Sequence, residues 1–97
     1  MKLNLAKDAI VLDLETTGLS PAKDKIIQIA ILKIFANDSK APELKTRYVN
    51  PGIHIPEKVT EITGITDEMV KDAPKFDKIA KGIVSFIGDA DIITFNG

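Results

Sequence analysis

Ala9-Ile10-Val11-Leu12-Asp13-Leu14-Glu15-Thr16-Thr17-Gly18-Leu19 is the stretch whose reading decides the fold. Its first four residues form an apolar run of the kind found in a strand buried on both faces. Side chains alternate along a strand, so Asp13 and Glu15 point to one side and Leu14 to the other. Their α-carbons then lie about 6.6 Å apart. Carboxylates at that spacing can flex inward to share divalent ions, and paired catalytic metals sit about 3.5–4 Å apart. Thr16-Thr17-Gly18 leaves the strand as a turn whose hydroxyls and bare glycine backbone permit close approach of a ligand. The competing reading is an acidic strand end solvated at a turn. Against it, both acids continue an apolar run, and unpaired they would repel each other in poor solvent. On the residues alone, both readings stand.

Working outward, Met1 to Asp8 is a short polar lead-in, and strand one runs from about Ala9 to Glu15. Ser20-Pro21-Ala22-Lys23-Asp24-Lys25 is a turn-rich loop. Ile26 to Phe35 is dense in isoleucine and reads as a central strand; Ala30 and Leu32 tolerate helix, but the β-branched density favours strand. Leu44 to Val49 alternates well enough for a third, edge-like strand. Short loops between successive strands imply an antiparallel meander.

Past residue 50 the pattern turns helical. Pro56 suits a first helical turn, and Glu57 to Ile62 can form a helix stopped at Gly64. Thr66 can cap a second short helix, with Asp67 and Glu68 well placed in its first turn. Pro74 opens a longer one, in which Phe76, Ile79, Ala80, Ile83, Val84 and Ile87 form a stripe that Gly88 can end. Lys75, Asp77, Lys78 and Lys81 lie opposite that stripe. Asp91 to Phe95 is a fourth strand, and a helix between strands implies a parallel crossover that brings it beside strand one. The expected class is α/β, with a mixed sheet.

Ninety-seven residues make at most one small domain, and 44% hydrophobic with 28% charged residues is ordinary for a soluble protein. A formal net charge of −1 excludes a protein that holds nucleic acid by overall positive charge. Contact with DNA or RNA would have to be local, through metals and backbone amides. Four Phe, one Tyr and no Trp argue against a long single-strand stacking platform. The absence of cysteine excludes disulfides and thiolate metal sites and fits a reducing, cytoplasmic setting. Ile26 to Ala36 is the most apolar stretch, but Gln28 and Lys33 interrupt it and it is too short to span a bilayer, so no membrane partner is expected.

Asp13-x-Glu15-Thr16-Thr17-Gly18-Leu19 after a hydrophobic strand resembles the first motif of the DnaQ-like (DEDD) 3′–5′ exonucleases. That family has a ribonuclease H-like fold and includes the proofreading subunit of the bacterial replicative DNA polymerase. Asn50-Pro51-Gly52-Ile53-His54-Ile55-Pro56, followed by Glu61-Ile62-Thr63-Gly64-Ile65-Thr66, resembles the segment after the family's third strand. Thr94-Phe95-Asn96-Gly97 resembles the beginning of its second motif.

The resemblance implies hydrolysis by two divalent ions held by four carboxylates. Asp13 would contact both metals and Glu15 the metal on the nucleophile side; hard oxygen donors suit Mg2+ or Mn2+. Thr16, Thr17 and Gly18 would meet the 3′-terminal nucleotide. Leu19 would press on its base, unless it packs in the core. Thr63 and Gly64 would approach the same nucleotide, although a helix stop at Gly64 and a cap at Thr66 are expected there with or without a ligand and are the favoured account of each residue. Asn96 would open the second motif. His54, the one histidine, stands nowhere near the family's catalytic histidine and is expected to face solvent without a role. The lysines at 71, 75, 78 and 81 read as a solvated helix face.

The second motif's aspartate and the third motif lie outside the sequence, so residues 1–97 read as the N-terminal part of one exonuclease domain. Alone, they are expected not to hydrolyse DNA. An exposed edge on strand four could support homo-association. The expected partners of the parent protein are a single-stranded DNA 3′ end and a DNA polymerase subunit, in proofreading or repair. Two other readings remain: a catalytically silent binding module that docks on a polymerase or nucleic acid, and a 3′–5′ exoribonuclease.

Overall fold

The computed structural model describes residues 7–18, 20, 22–37 and 39–95. The chain runs through β1 (Ala9–Thr16), β2 (Ile26–Ile34), β3 (Glu43–Tyr48), α1 (Glu57–Thr63), α2 (Asp67–Val70), α3 (Phe76–Ile87) and β4 (Asp91–Phe95). The strands form one sheet in the order β3-β2-β1-β4. β1 pairs antiparallel with β2 and parallel with β4, and β2 pairs antiparallel with β3. The meander expected from the short loops and the parallel return expected from the helical crossover are both present.

One sheet face carries Ile10, Ile29 and Ile31, which are buried with Val49 under α3. Ile79, Ile83, Phe86 and Ile87 of α3 pack on that cluster. The expected helical stripe is therefore rotated. Val84 is 68% exposed and Phe76 is exposed as well, while Phe86 turns inward. Lys33 on β2 faces the helix end, and its Nζ donates to the Phe86 carbonyl at 2.6 Å. A cation there satisfies an orphan carbonyl and complements the helix dipole.

A second cluster, Ile27, Ile55, Ile65 and Val70, holds α1 and α2 against the start of β2. Gly64 ends α1 at φ 78°, a left-handed conformation that favours glycine, and its N–H donates to the Thr60 carbonyl. Thr66 caps α2 by accepting from the Met69 N–H. β3 is exposed along its whole length, as an edge strand can be, with Leu44 67% exposed. No described helix is long and apolar enough to cross a membrane.

Burial along β1 differs from the two-sided burial expected of its apolar run. Ala9 and Ile10 are buried, Val11 and Leu12 half-buried, and Asp13 and Leu14 exposed. Cover is thinnest at Asp13 and Leu14 and returns at Glu15 and Thr16, which are half-buried, so the two acids differ in exposure. Asp8 ties down the opposite end: its Oδ1 accepts from Ala36 N–H and its carbonyl from Asp91 N–H.

Candidate active site

Asp13 and Glu15 lie two residues apart on β1, opposite Ala30 and Gln28 of β2. Residues paired across a sheet share a face, so the register sets both carboxylates on one side. On β3 the same rows continue to Thr46 and Tyr48. Asp13 is also the register partner of Phe95 on β4. Small Ala30 beside Asp13 leaves room, and polar Gln28 and Tyr48 extend the row from Glu15. Among the described residues neither acid is in an ion pair. No group of three or more His, Cys, Asp or Glu side chains able to hold a metal occurs among them either. Asp13 and Glu15 are thus a pair of hard oxygen donors with no basic partner in an ion pair with them among the described residues. That donor chemistry fits Mg2+ or Mn2+.

A β-bulge falls immediately after Glu15. Glu15 pairs with Gln28 but Thr16 pairs with Ile26, which leaves Ile27 as the extra residue. Bulges re-aim side chains and end pairing, and here the ladder ends where the turn begins. Ile27 is fully buried among Ile55, Ile65 and Val70. The bulge is thereby pinned by packing rather than left to slip. Ile65 directly follows Gly64, so the same cluster anchors the Thr63–Gly64 turn beside this end of the sheet.

The turn itself uses the hydroxyls that the sequence offers to a ligand. Thr16 Oγ1 donates to the Gly18 carbonyl. Thr17 is 2% exposed; its hydroxyl donates to Asp24 Oδ1 at 2.8 Å and accepts from Lys25 N–H at 3.0 Å. Its own N–H donates to the Lys25 carbonyl at 2.9 Å. The side chain of Thr17 therefore faces inward, and the turn would meet a ligand there through backbone. Gly18 is needed for space rather than for its torsion angles. A Cβ there would lie 2.5 Å from Asp24 Oδ2, and Gly18 is not among the glycines with positive φ.

Thr63 is committed in the same way, its hydroxyl donating to the Val59 carbonyl at 2.9 Å and accepting from Ile65 N–H at 3.1 Å. Gly64 is exposed, and a Cβ there would meet nothing within 4 Å. His54 is 78% exposed, as expected, yet its Nδ1 contacts Asp67 Oδ2. Asp67 Oδ1 accepts from Ile55 N–H at 2.8 Å. That backbone hydrogen bond, with the His54 side chain, holds the Asp67 carboxyl below its ordinary value despite some opposing desolvation. Of the lysine face, Lys71 pairs with Glu68 at 2.6 Å. Leu19 and Asn96 lie outside the described residues; Asn96 follows Phe95, the register partner of Asp13.

Asp24 and Gln28 are the residues that sequence reasoning passed over. Asp24 sits in a loop whose composition signals only a turn, and Gln28 registers only as a break in an apolar run. The one signal for Gln28 was the strand period, which puts it on the face of Glu15 once the register is known.

A profile of the exonuclease family matches residues 10–96. The DNA polymerase III PolC-type of Clostridium perfringens is 36% identical over 87 residues, covering 90% of this chain. That of Caldanaerobacter subterraneus subsp. tengcongensis is 37% identical over 93 residues, covering 96%. The chain spans 6% of the length of each of these polymerases. Among solved structures, product-bound exonuclease I superposes with a TM-score of 0.78 at 23% identity, over 93% of this chain and 22% of that one. Exonuclease X in complex with 5′ overhanging duplex DNA gives 0.71 at 26% identity, over 91% and 48%. The nuclease domain of 3′hExo, a DEDDh family member bound to rAMP, gives 0.75 at 18% identity, over 93% and 52%. The mixed sheet with its parallel fourth strand is part of the ribonuclease H-like fold that these nucleases share. With the profile covering nearly every described residue, this chain belongs to the DnaQ-like exonuclease family.

Proposed function

We propose that these residues are the N-terminal part of a 3′–5′ exonuclease domain that hydrolyses phosphodiester bonds at DNA 3′ ends, in proofreading or repair. The observation that carries this reading is the acid pair: Asp13 and Glu15 share one face at the end of β1, beside a pinned bulge, and are free of ion pairs among the described residues. Similarity to polymerase III of the PolC type supports DNA over RNA as substrate and a polymerase as the working context. Asp13 and Glu15 would hold two Mg2+ or Mn2+ ions together with further carboxylates of the whole domain. Bound there, such ions lower the pKa of water and offset the negative charge that develops on the scissile phosphate and the leaving 3′ oxygen.

The chain's own residues do the remaining work. The Thr16–Gly18 turn would offer backbone to the terminal nucleotide, and Thr63–Gly64, whose neighbour Ile65 is buried in the same cluster as Ile27, would approach it from the helical side. Leu19 and Asn96 complete the substrate contacts.

Metal binding gives the first test. Ligand that binds only the native state stabilises it, by about 2.7 kcal/mol at a hundredfold excess over Kd. Mn2+ or Mg2+ should therefore raise the melting temperature of the wild type, and the rise should vanish in Asp13→Ala. An equal rise in both proteins would remove the acid pair from the site. In the full-length protein, Asp13→Ala should abolish metal-dependent release of 3′ nucleotides. Wild-type protein that binds 3′ ends without cleaving them would favour the silent binding module instead.

A further inference from the structure

We propose that Asp24 is a positioning residue for substrate: it clamps the Thr16–Gly18 turn in the shape that receives the 3′-terminal nucleotide. The inference rests on the exonuclease reading and adds to it a residue outside the acid pair.

Both oxygens of the Asp24 carboxylate are occupied, and by different parts of the same turn. Oδ1 accepts from the Thr17 hydroxyl at 2.8 Å and Oδ2 from the Ser20 N–H at 2.8 Å. The Asp24 N–H in turn donates to the Ser20 carbonyl at 2.8 Å. Next along the chain, Lys25 bonds Thr17 twice, N–H to hydroxyl and carbonyl to N–H. The loop from residue 17 to residue 25 is thus closed at its base by Lys25 and braced across its middle by Asp24. Hydrogen bonds to an ionised acceptor are about twice as strong as neutral ones.

The third observation is steric. All three carboxylate atoms of Asp24 lie within 2.8 Å of where a Gly18 Cβ would stand. Gly18 therefore matches the carboxylate lodged against it, and the glycine and the aspartate are one device. Thr17 is the buried polar residue of the described chain, and its hydroxyl is where Asp24 reaches the strand end that carries Glu15.

This arrangement is more than loop stapling, because the clamp acts on the residues that directly follow the acid pair. Glu15 is held by the β-ladder and the bulge, so metal binding does not depend on Asp24. The turn after it is held by Asp24, so the fit to nucleotide does. Misplacement by about 1 Å at such a turn can cost roughly a hundredfold in turnover.

The test uses full-length protein with a short single-stranded DNA, measuring kcat, KM, Mn2+ affinity without DNA, and melting temperature. Asp24→Ala is expected to lower kcat/KM by about ten- to a hundredfold, while Mn2+ affinity stays within twofold of wild type. Asp24→Asn, which keeps the volume and one acceptor, should recover part of the loss, and it carries the test if Asp24→Ala does not fold. Gly18→Ala should be as damaging as Asp24→Ala, yet add little in the double variant, since the atoms its Cβ would meet are gone. Wild-type kcat/KM in a folded Asp24→Ala protein would overturn the proposal. So would additive losses in the double variant, or an equal loss of Mn2+ affinity. Failure of the exonuclease reading would look different: the wild type itself would release no nucleotide.

Discussion

A hydroxyl removed from water destabilises the fold unless its hydrogen-bonding capacity is met, and Thr17 meets it twice, toward Asp24 and from Lys25. Replacing it by valine keeps the shape and strands both partners. Thr17→Val should therefore lose about 1–3 kcal/mol, seen as a lower urea midpoint at unchanged slope, whereas Thr17→Ser should lose less. A valine variant as stable as wild type would mean that Asp24 and the Lys25 N–H find water instead. At the same scale, the period of the strand was enough to pair Asp13 with Glu15, because alternation depends on backbone geometry alone. The inward aim of Thr17 was not legible, since its partner is seven residues away across a loop whose composition says only that the chain turns.

At the scale of elements, each strand and helix foreseen from periodicity, capping residues and turn chemistry is present within a residue or two of its expected ends. The stripe of α3 was the harder matter. Its apolar residues span more than one face, and which of them turn inward depends on how the helix rolls on the sheet. Lys33 contributes to that roll by holding the Phe86 carbonyl. Asp67 contributes to the seating of α2, since it joins the first residue of that helix to Ile55 and His54. Its folded pKa lies below the ordinary carboxylate value of 3.8, so ionised Asp67 stabilises the fold above that value. The contribution disappears as pH falls through the lowered folded value. The stability gap between wild type and Asp67→Asn should accordingly narrow from about pH 5 toward pH 2. A gap independent of pH over that range would contradict the assignment.

For the molecule as a whole, catalysis is expected to need more donors than the described residues supply. Asp13 and Glu15 are two carboxylates, and no third His, Cys, Asp or Glu among those residues joins them in a group able to hold a metal. The 97 residues by themselves should release no nucleotides from a DNA 3′ end in the presence of Mn2+, while the full-length protein should. Release by the 97-residue chain that Asp13→Ala abolishes would show that two carboxylates suffice.

By itself, the sequence determined the elements, their order, the antiparallel meander with its parallel return, and the acid pair on one strand face. All of these follow from local geometry: periods of 2 and 3.6, caps, and loop length. Only the tertiary structure decided that the bulge falls at Ile27, that Gln28 and Tyr48 continue the row from Glu15, that Phe86 rather than Val84 enters the core, and that Asp24 occupies the space beside Gly18. Those are contacts between residues that neither period nor propensity connects, and they exist only once the sheet register and the helix packing have been set.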